Sequence, residues 1–273
     1  MADLVLRPLS VGEIIDHAFA IYRRQFATLF LITLLANALP LLMTMYVMTS
    51  GGIMNHPFLY FLNSAISLAL GNLAIAATVF LVSEGYLGRS VTAGDAFGRA
   101  VKYIWPLVLL SFATGLIVVV GFFLLIVPCF IAISGLILGT PSLVLEDITP
   151  SAALSRSWNL TKGFRWKMFG LLVILVIIIA IPSIAISFLD PSAGAAGLMG
   201  QASTQALVWI VLQQLATILV YPLLYCALTI AYYDLRVRKE GFDLELLEST
   251  LAHALPPGGS SDLRDIPNSR TFG

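Results

Sequence analysis

Few side chains in this chain could do chemistry, and none stands in a catalytic spacing. Its three histidines, His17, His56 and His253, lie far apart on different segments. Metal or hydrolytic centres need imidazoles and carboxylates that converge on one reacting atom, so this spacing points to neither. The two cysteines, Cys129 and Cys226, sit in or beside apolar runs and read as small buried hydrophobes, not a disulfide or metal pair. Ser/His/Asp, CxxC, phosphate-loop and HExxH patterns are all missing. The expectation is a protein with no catalytic residue, no cofactor and no metal.

Three acids are better placed. Glu84, Glu146 and Asp234 each close an apolar hairpin. A carboxylate at a helix C-terminus opposes the macrodipole, so these positions want cations from nearby basic turns, with Arg99 and Arg156 as candidates. The competing reading is an ordinary acid at a membrane boundary. A second polar set, Asn37, Asn63, Asn72, Gln213, Gln214 and Tyr221, interrupts the apolar segments. Such side chains bond helix to helix at roughly 0.6–2 kcal/mol each, or a subset lines a pocket for a lipid headgroup or small solute. Asn72, Gln213 and Gln214 are the residues of that pocket if it forms. No Lys, Arg, Asp or Glu falls in the middle of a span. That counts against a proton-driven carrier and leaves open a sodium site built of carbonyls and hydroxyls.

The elements that must position these groups are membrane helices. The chain is 59% hydrophobic and only 11% charged, far from a soluble domain of its length. Apolar runs cover residues 26–48, 58–82, 103–127, 129–145, 166–189 and 205–233. Most reach the ~20 residues that a bilayer core requires. All fifteen Lys and Arg lie in the segments before, between or after the hairpins that share one side, and the connections at 49–57, 127–129 and 190–204 contain none. This bias predicts a multi-pass protein of a prokaryotic inner membrane with both termini cytoplasmic. The first 25 residues are too charged for a cleaved leader, so 26–48 is expected to be a retained span. Trp105, Trp158 and Trp166 fall near the cytoplasmic boundary and Trp209 near the outer one, as interface anchors do.

A threefold pattern underlies the spans, in units of about 10–84, 92–147 and 149–234. Each hairpin follows a capped stretch that opens at Ser10, Thr92 or Thr149. Ser10 has Glu13 three residues on, Thr92 has Asp95, and Thr149 has Pro150 at the first helical position. Val11, Ile14, Ile15, Ala18, Phe19 and Tyr22 make an i, i+3, i+4 stripe. Phe97, Ala100, Val101 and Ile104 repeat it, and Leu154, Ser157, Trp158 and Thr161 repeat it less well. His17, Arg99 and Arg156 each fall seven residues after their cap, on the polar face.

The middle hairpin is compressed. Residues 105–145 must supply two spans and a turn at Pro128, so it either barely crosses or turns inside the bilayer. Prolines at 40, 106, 141, 182 and 222 interrupt spans or their ends, as kinks, hinges or ordinary membrane-helix prolines. Beyond 233 the basic run DLRVRKEG is expected to sit on anionic lipid. Residues 1–246 read as one membrane domain and 247–273 as a tail, Pro/Gly/Ser-rich from 256.

Residues 7–24 (RPLSVGEIIDHAFAIYRR), Glu146 with 156–166 (RSWNLTKGFRW), and 232–243 (YYDLRVRKEGFD) carry a likeness over roughly 7–246. Together they resemble the membrane domain attached to some glycerophosphoryl diester phosphodiesterases, a family that also occurs as stand-alone membrane proteins. The resemblance implies a six-helix bacterial or archaeal membrane protein. It implies no phosphodiesterase activity, because in those enzymes the chemistry belongs to a separate soluble barrel that this chain has no room for. Where the family pairs Pro with Gly at the mid-chain turn, this chain has Cys129 after Pro128.

The predicted fold is all-α and polytopic, with six membrane helices in three hairpins, each preceded by an amphipathic cytoplasmic helix. Those helices either lie among lipids, with Phe19, Tyr22, Phe97, Val101, Trp105, Trp158 and Trp166 at the membrane interface, or dock on their own bundle. The leading functional expectation is a non-enzymatic protein that organises or shapes the membrane. The alternative is a carrier or accessory subunit for a lipid or uncharged solute. Membrane lipids are the expected partners, and a homo-oligomer is compatible with the sequence. Nucleic acid is not an expected partner, because the basic residues are interleaved with acids. No soluble partner is legible.

Overall fold

A computed structural model describes residues 7–89, 91–124, 126–189 and 204–242. Every regular element among them is helical, and six helical segments, one of them interrupted, are long and apolar enough to cross a membrane. Most of the 190–204 connection, Asp190, His253 and the expected tail 247–273 lie outside the described residues.

The three capped stretches are helices. α1 (Val11–Arg24) opens on a complete capping box: Ser10 N–H donates to Glu13 Oε2 at 2.7 Å, and Glu13 N–H donates to Ser10 Oγ at 3.3 Å. α5 (Ala93–Ala100) is capped by Thr92 Oγ1, which accepts Asp95 N–H at 3.2 Å. α9 (Pro150–Thr161) is capped by Thr149. Their apolar faces turn inward. Ile14 and Ala18 of α1, Ala96 and Ala100 of α5, and Ala153 and Leu160 of α9 are buried, while Phe19, Tyr22 and Phe97 pack partly against the same core. Val101 departs from its predicted stripe and is 55% exposed. Here α5 ends at Ala100 and the chain tightens into a 3₁₀ turn, Val101–Tyr103, which rotates the next inward position to Tyr103.

The long helices are α2 (Phe26–Thr49), α4 (Pro57–Tyr86), α6 (Ile104–Leu124), α10 (Arg165–Leu189) and α11 (Thr204–Glu240), with one turn, α3 (Gly52–Asn55), between α2 and α4. Gly51 enters α3 at φ 117°, a conformation that a side chain would strain. α4 and α11 form the centre: α4 touches α2, α5, α6 and α11, and α11 also touches α1, α2 and α10. Small residues allow the close approach, Ala74, Ala76 and Ala77 on α4 and Ala227 and Ala231 on α11. Large apolar side chains such as Leu42, Phe61, Phe112 and Ile181 face outward, as a lipid-facing wall requires.

The predicted span 129–145 is broken. It forms α7 (Ile126–Leu136) and α8 (Gly139–Glu146), separated at residues 137–138. Pro141 sits in the first turn of α8 and lacks the N–H that a continuous helix would direct at residue 137. Side chains of α9 accommodate the break. Ser157 Oγ donates to the Gly135 carbonyl at 2.8 Å and accepts Leu138 N–H at 3.1 Å, and Thr161 Oγ1 donates to Gly135 at 3.2 Å. Non-helical backbone at this depth is tolerated because protein covers it.

Candidate functional site

At 37 residues and about 55 Å, α11 is longer than the ~30 Å hydrocarbon core. Its last turns therefore extend beyond the apolar zone and carry charge into the protein. The basic run 234–241 is helical through Glu240, and several of its charged side chains pair within the protein. Asp234 is 2% exposed. It accepts Leu9 N–H at 2.6 Å, Lys167 Nζ, and Arg238 Nε at 3.0 Å. Lys167 and Arg238 both also donate to the Leu9 carbonyl, at 2.6 and 2.8 Å. One carboxylate and two cations thus fasten the entry of α1 to α10 and α11.

A second knot joins α8, α9 and α11. Arg156 Nε donates to both Glu146 oxygens at 2.8 and 2.9 Å. Its two terminal nitrogens reach Glu240, which also pairs with Arg236 at 3.1 Å. Tyr232 donates its hydroxyl to Glu146 at 2.7 Å. Hydrogen bonds from Arg156 to Glu240 and then to Glu146 push the guanidinium pKa up, so it is permanently charged. Of the acids that close the hairpins, Glu146 pairs with Arg156 and Asp234 with Lys167 and Arg238. Glu84 meets Arg89 only at 3.4 Å. Arg99 is exposed, with no ion pair among the described residues.

Sequence reasoning overlooked Lys167, Glu240 and Asp147. Asp147 follows α8 in a left-handed conformation at φ 53° and accepts Lys102 Nζ and the Tyr103 hydroxyl, each at 2.8 Å. Those two bonds, Lys102 first, hold its carboxyl below the ordinary range. The i,i+4 spacings of Asp234/Arg238 and Arg236/Glu240 were the one local signal available.

The amides are not gathered into one pocket. Gln214 Nε2 donates to Asn37 Oδ1 at 2.7 Å, joining α11 to α2. Asn72 instead donates to the Leu68 carbonyl at 2.8 Å and accepts from Ser111 at 3.3 Å, joining α4 to α6. Gln213 makes no side-chain hydrogen bond among the described residues. Between α2, α4 and α11 lies a cavity of about 140 Å³ bordered by Thr33, Asn37, Gly71, Thr217 and Tyr221. Pockets for drug-sized ligands run to roughly 300–1,000 Å³, so this one takes a small occupant at most.

Of the predicted interface residues, Tyr22 is spent on protein: its hydroxyl donates to the Leu219 carbonyl of α11 at 2.7 Å, beside Pro222. Burial pushes its phenol pKa up. Trp105, 76% exposed, and Trp166, 86% exposed, stand free at the end of the bundle that carries the ion pairs. Trp158 is partly exposed and seated on α7, against Gly135. Among the described residues, no cluster of His, Cys, Asp and Glu could hold a metal ion.

A family model described as a domain of unknown function (DUF7847) matches residues 25–235. No curated protein and no solved structure matches the chain.

Proposed function

From the premise that the chain belongs to the family described as a domain of unknown function (DUF7847), we propose that it is a non-enzymatic membrane protein that organises the lipids of one leaflet. The observation that carries this reading is the exposed aromatic rim, Trp105 and Trp166 with Val101, at the end where the basic residues gather. Indoles at a headgroup boundary order the neighbouring lipids, and adjacent cations favour an anionic leaflet. The one-sided distribution of Lys and Arg supports the cytoplasmic leaflet, with both termini inside a prokaryotic cell. Any shaping of the bilayer comes from these exposed side chains, because the apolar faces of α1 and α5 are buried in the bundle. The likeness of residues 7–24, 156–166 and 232–243 to the membrane domain of glycerophosphoryl diester phosphodiesterases fits a membrane-embedded role without catalysis.

The test is reconstitution into vesicles with deuterated anionic lipid. Lipid order is expected to change with protein-to-lipid ratio, and the change to shrink in Trp105→Ala/Trp166→Ala. Unaltered lipid order and vesicle diameter with wild-type protein would end the proposal. A second reading, a carrier for a small uncharged solute, is favoured by the α2/α4/α11 cavity and by prolines 40 and 222 within two of its walls. A solute that co-purifies and is lost on Asn37→Leu would put it first.

A further inference from the structure

Between α7 and α10 runs a groove of about 440 Å³, walled by Phe130, Ile131, Phe169 and Trp166, with Ser134 and Arg165 as its polar edge. It adjoins a depression of about 380 Å³ bordered by Trp158, Asn159, Lys162 and Gly163, and Arg165 and Trp166 line both. We propose that this two-part cleft binds one anionic phospholipid, its phosphodiester held by Arg165 and Lys162 beside Trp158, and an acyl chain lying along Phe130, Ile131 and Phe169. The assignment deepens the lipid-organising reading and rests on it only in that the chain sits in a bilayer.

At this corner two cations border an apolar groove without a carboxylate to match them among the described residues. Arg156, Lys167, Arg236 and Arg238 are each matched by Glu146, Glu240 or Asp234. Arg165 has no carboxylate partner among the described residues, and neither has Lys162. The Arg165 guanidinium lies 4.0 Å from the ring centroid of Trp158, and its Nε is buried with no acceptor among the described residues. A guanidinium held by stacking, with its charge uncompensated, is suited to the oxygens of a phosphate, which it meets through paired N–H donors. Lys239 adds a third positive charge, its Nζ anchored on the Asn159 carbonyl at 2.6 Å.

The cleft is built to hold this arrangement. A Cβ on Gly135 would lie 2.5 Å from Cε3 of Trp158, so only glycine lets the indole seat against α7. Ser157 and Thr161, which bracket Trp158, bond the Gly135 carbonyl and fix α9 on that spot. Below the cations the walls are apolar: Phe130 meets Phe169 edge-on at 4.8 Å, and Trp166 meets Phe169 at 6.3 Å. Both walls belong to candidate membrane spans, Pro128–Glu146 and Arg165–Phe188, whose length and apolar composition suit a lipid medium. A cationic head next to an apolar groove at a span boundary matches the polarity of a phospholipid end to end. An uncharged solute would leave the cations unmatched, and a soluble anion would leave the groove empty.

The test is native mass spectrometry of the full chain released from bilayers of dioleoylphosphatidylglycerol or dioleoylphosphatidylcholine. One phosphatidylglycerol retained per chain, with about tenfold preference over phosphatidylcholine, is the expected result. Arg165→Gln should cut its occupancy about tenfold, and Ile131→Trp, which fills the groove without touching charge, should cut it comparably. Arg99→Gln, an exposed cation elsewhere at the same end, should leave occupancy unchanged. Thermal unfolding of each variant identifies any that fails to fold, and the two losses arise by independent means. Equal retention of the two lipids, or full retention in Arg165→Gln, would overturn the assignment. Displacement by inorganic phosphate or by glycerophosphoglycerol would overturn it too, in favour of a soluble anion. Lipid order measured on the same vesicles separates the two proposals. An order change that survives Arg165→Gln while the bound lipid is lost supports the site and leaves the broader role standing. A bound lipid without any order change supports the site and ends the broader role.

Discussion

The carboxylate of Asp234 accepts the backbone N–H of Leu9 at 2.6 Å, although 225 residues separate them. This bond, with Lys167 and Arg238 on the same two residues, holds the lead into α1 against α10 and α11. Removing one partner of a buried ion pair leaves the other charges uncompensated. Asp234→Asn should therefore cost about 3–5 kcal/mol. Thermal unfolding in detergent reads the loss, and amide exchange at Leu9 should accelerate with it. An unchanged midpoint would show that the knot adds nothing to stability.

Ser157 closes the break between α7 and α8. In Ser157→Ala the Leu138 N–H loses its acceptor and the Gly135 carbonyl keeps only Thr161. A buried backbone group left unsatisfied costs about 1–3 kcal/mol. Exchange at Leu138 should rise selectively, while exchange at the Ser10 cap stays as it was. Uniform protection at both sites would contradict this account of the break.

The cap of α1 is sensitive to acid. Bonds from the Ser10 backbone and side chain, with Arg7 beside them, lower the Glu13 pKa from 4.5 to about 2. A carboxylate whose pKa is depressed on folding stabilises fully above its unfolded value, and that contribution is lost as pH falls through the folded one. Protection of the first α1 amides should therefore hold down to about pH 4.5 and disappear toward pH 2. Glu13→Gln, which can keep a hydrogen bond but has no charge to lose, should flatten the profile. Fraying centred at the ordinary carboxylate range would mean that the box does not form in solution.

Gln214 and Asn37 form an amide pair between α2 and α11. Interhelical hydrogen bonds inside membranes average about 0.6 kcal/mol. A double-mutant cycle with Gln214→Leu and Asn37→Leu should return a coupling near that size. Coupling of several kcal/mol would indicate that the neighbouring cavity is polar and functional, which favours the carrier reading.

Much of the architecture is legible from local pattern. Ser10/Glu13, Thr92/Asp95 and Thr149/Pro150 announce three helix starts because capping involves residues at most three apart. The six apolar runs announce candidate spans because unbroken hydrophobicity at that length has few other uses. Residues 137–138 were not legible as a break, since Pro141 alone is compatible with a continuous membrane helix. What stabilises the break is Ser157 and Thr161, more than a dozen residues further on.

The side-chain partnerships needed the folded chain. Composition and charge order, acting through hydrophobic length and the asymmetry of basic residues, determine by themselves an all-helical chain with six candidate spans. Only tertiary packing decides that Asp234 meets Leu9 and Lys167 while Glu146 shares Arg156 with Glu240. It also leaves Arg165 stacked on Trp158 with no acid paired to it among the described residues. The physical reason is range. Capping and hydropathy are properties of adjacent residues, whereas a salt bridge or a cleft exists only where helices from distant parts of the chain are brought within a few ångströms.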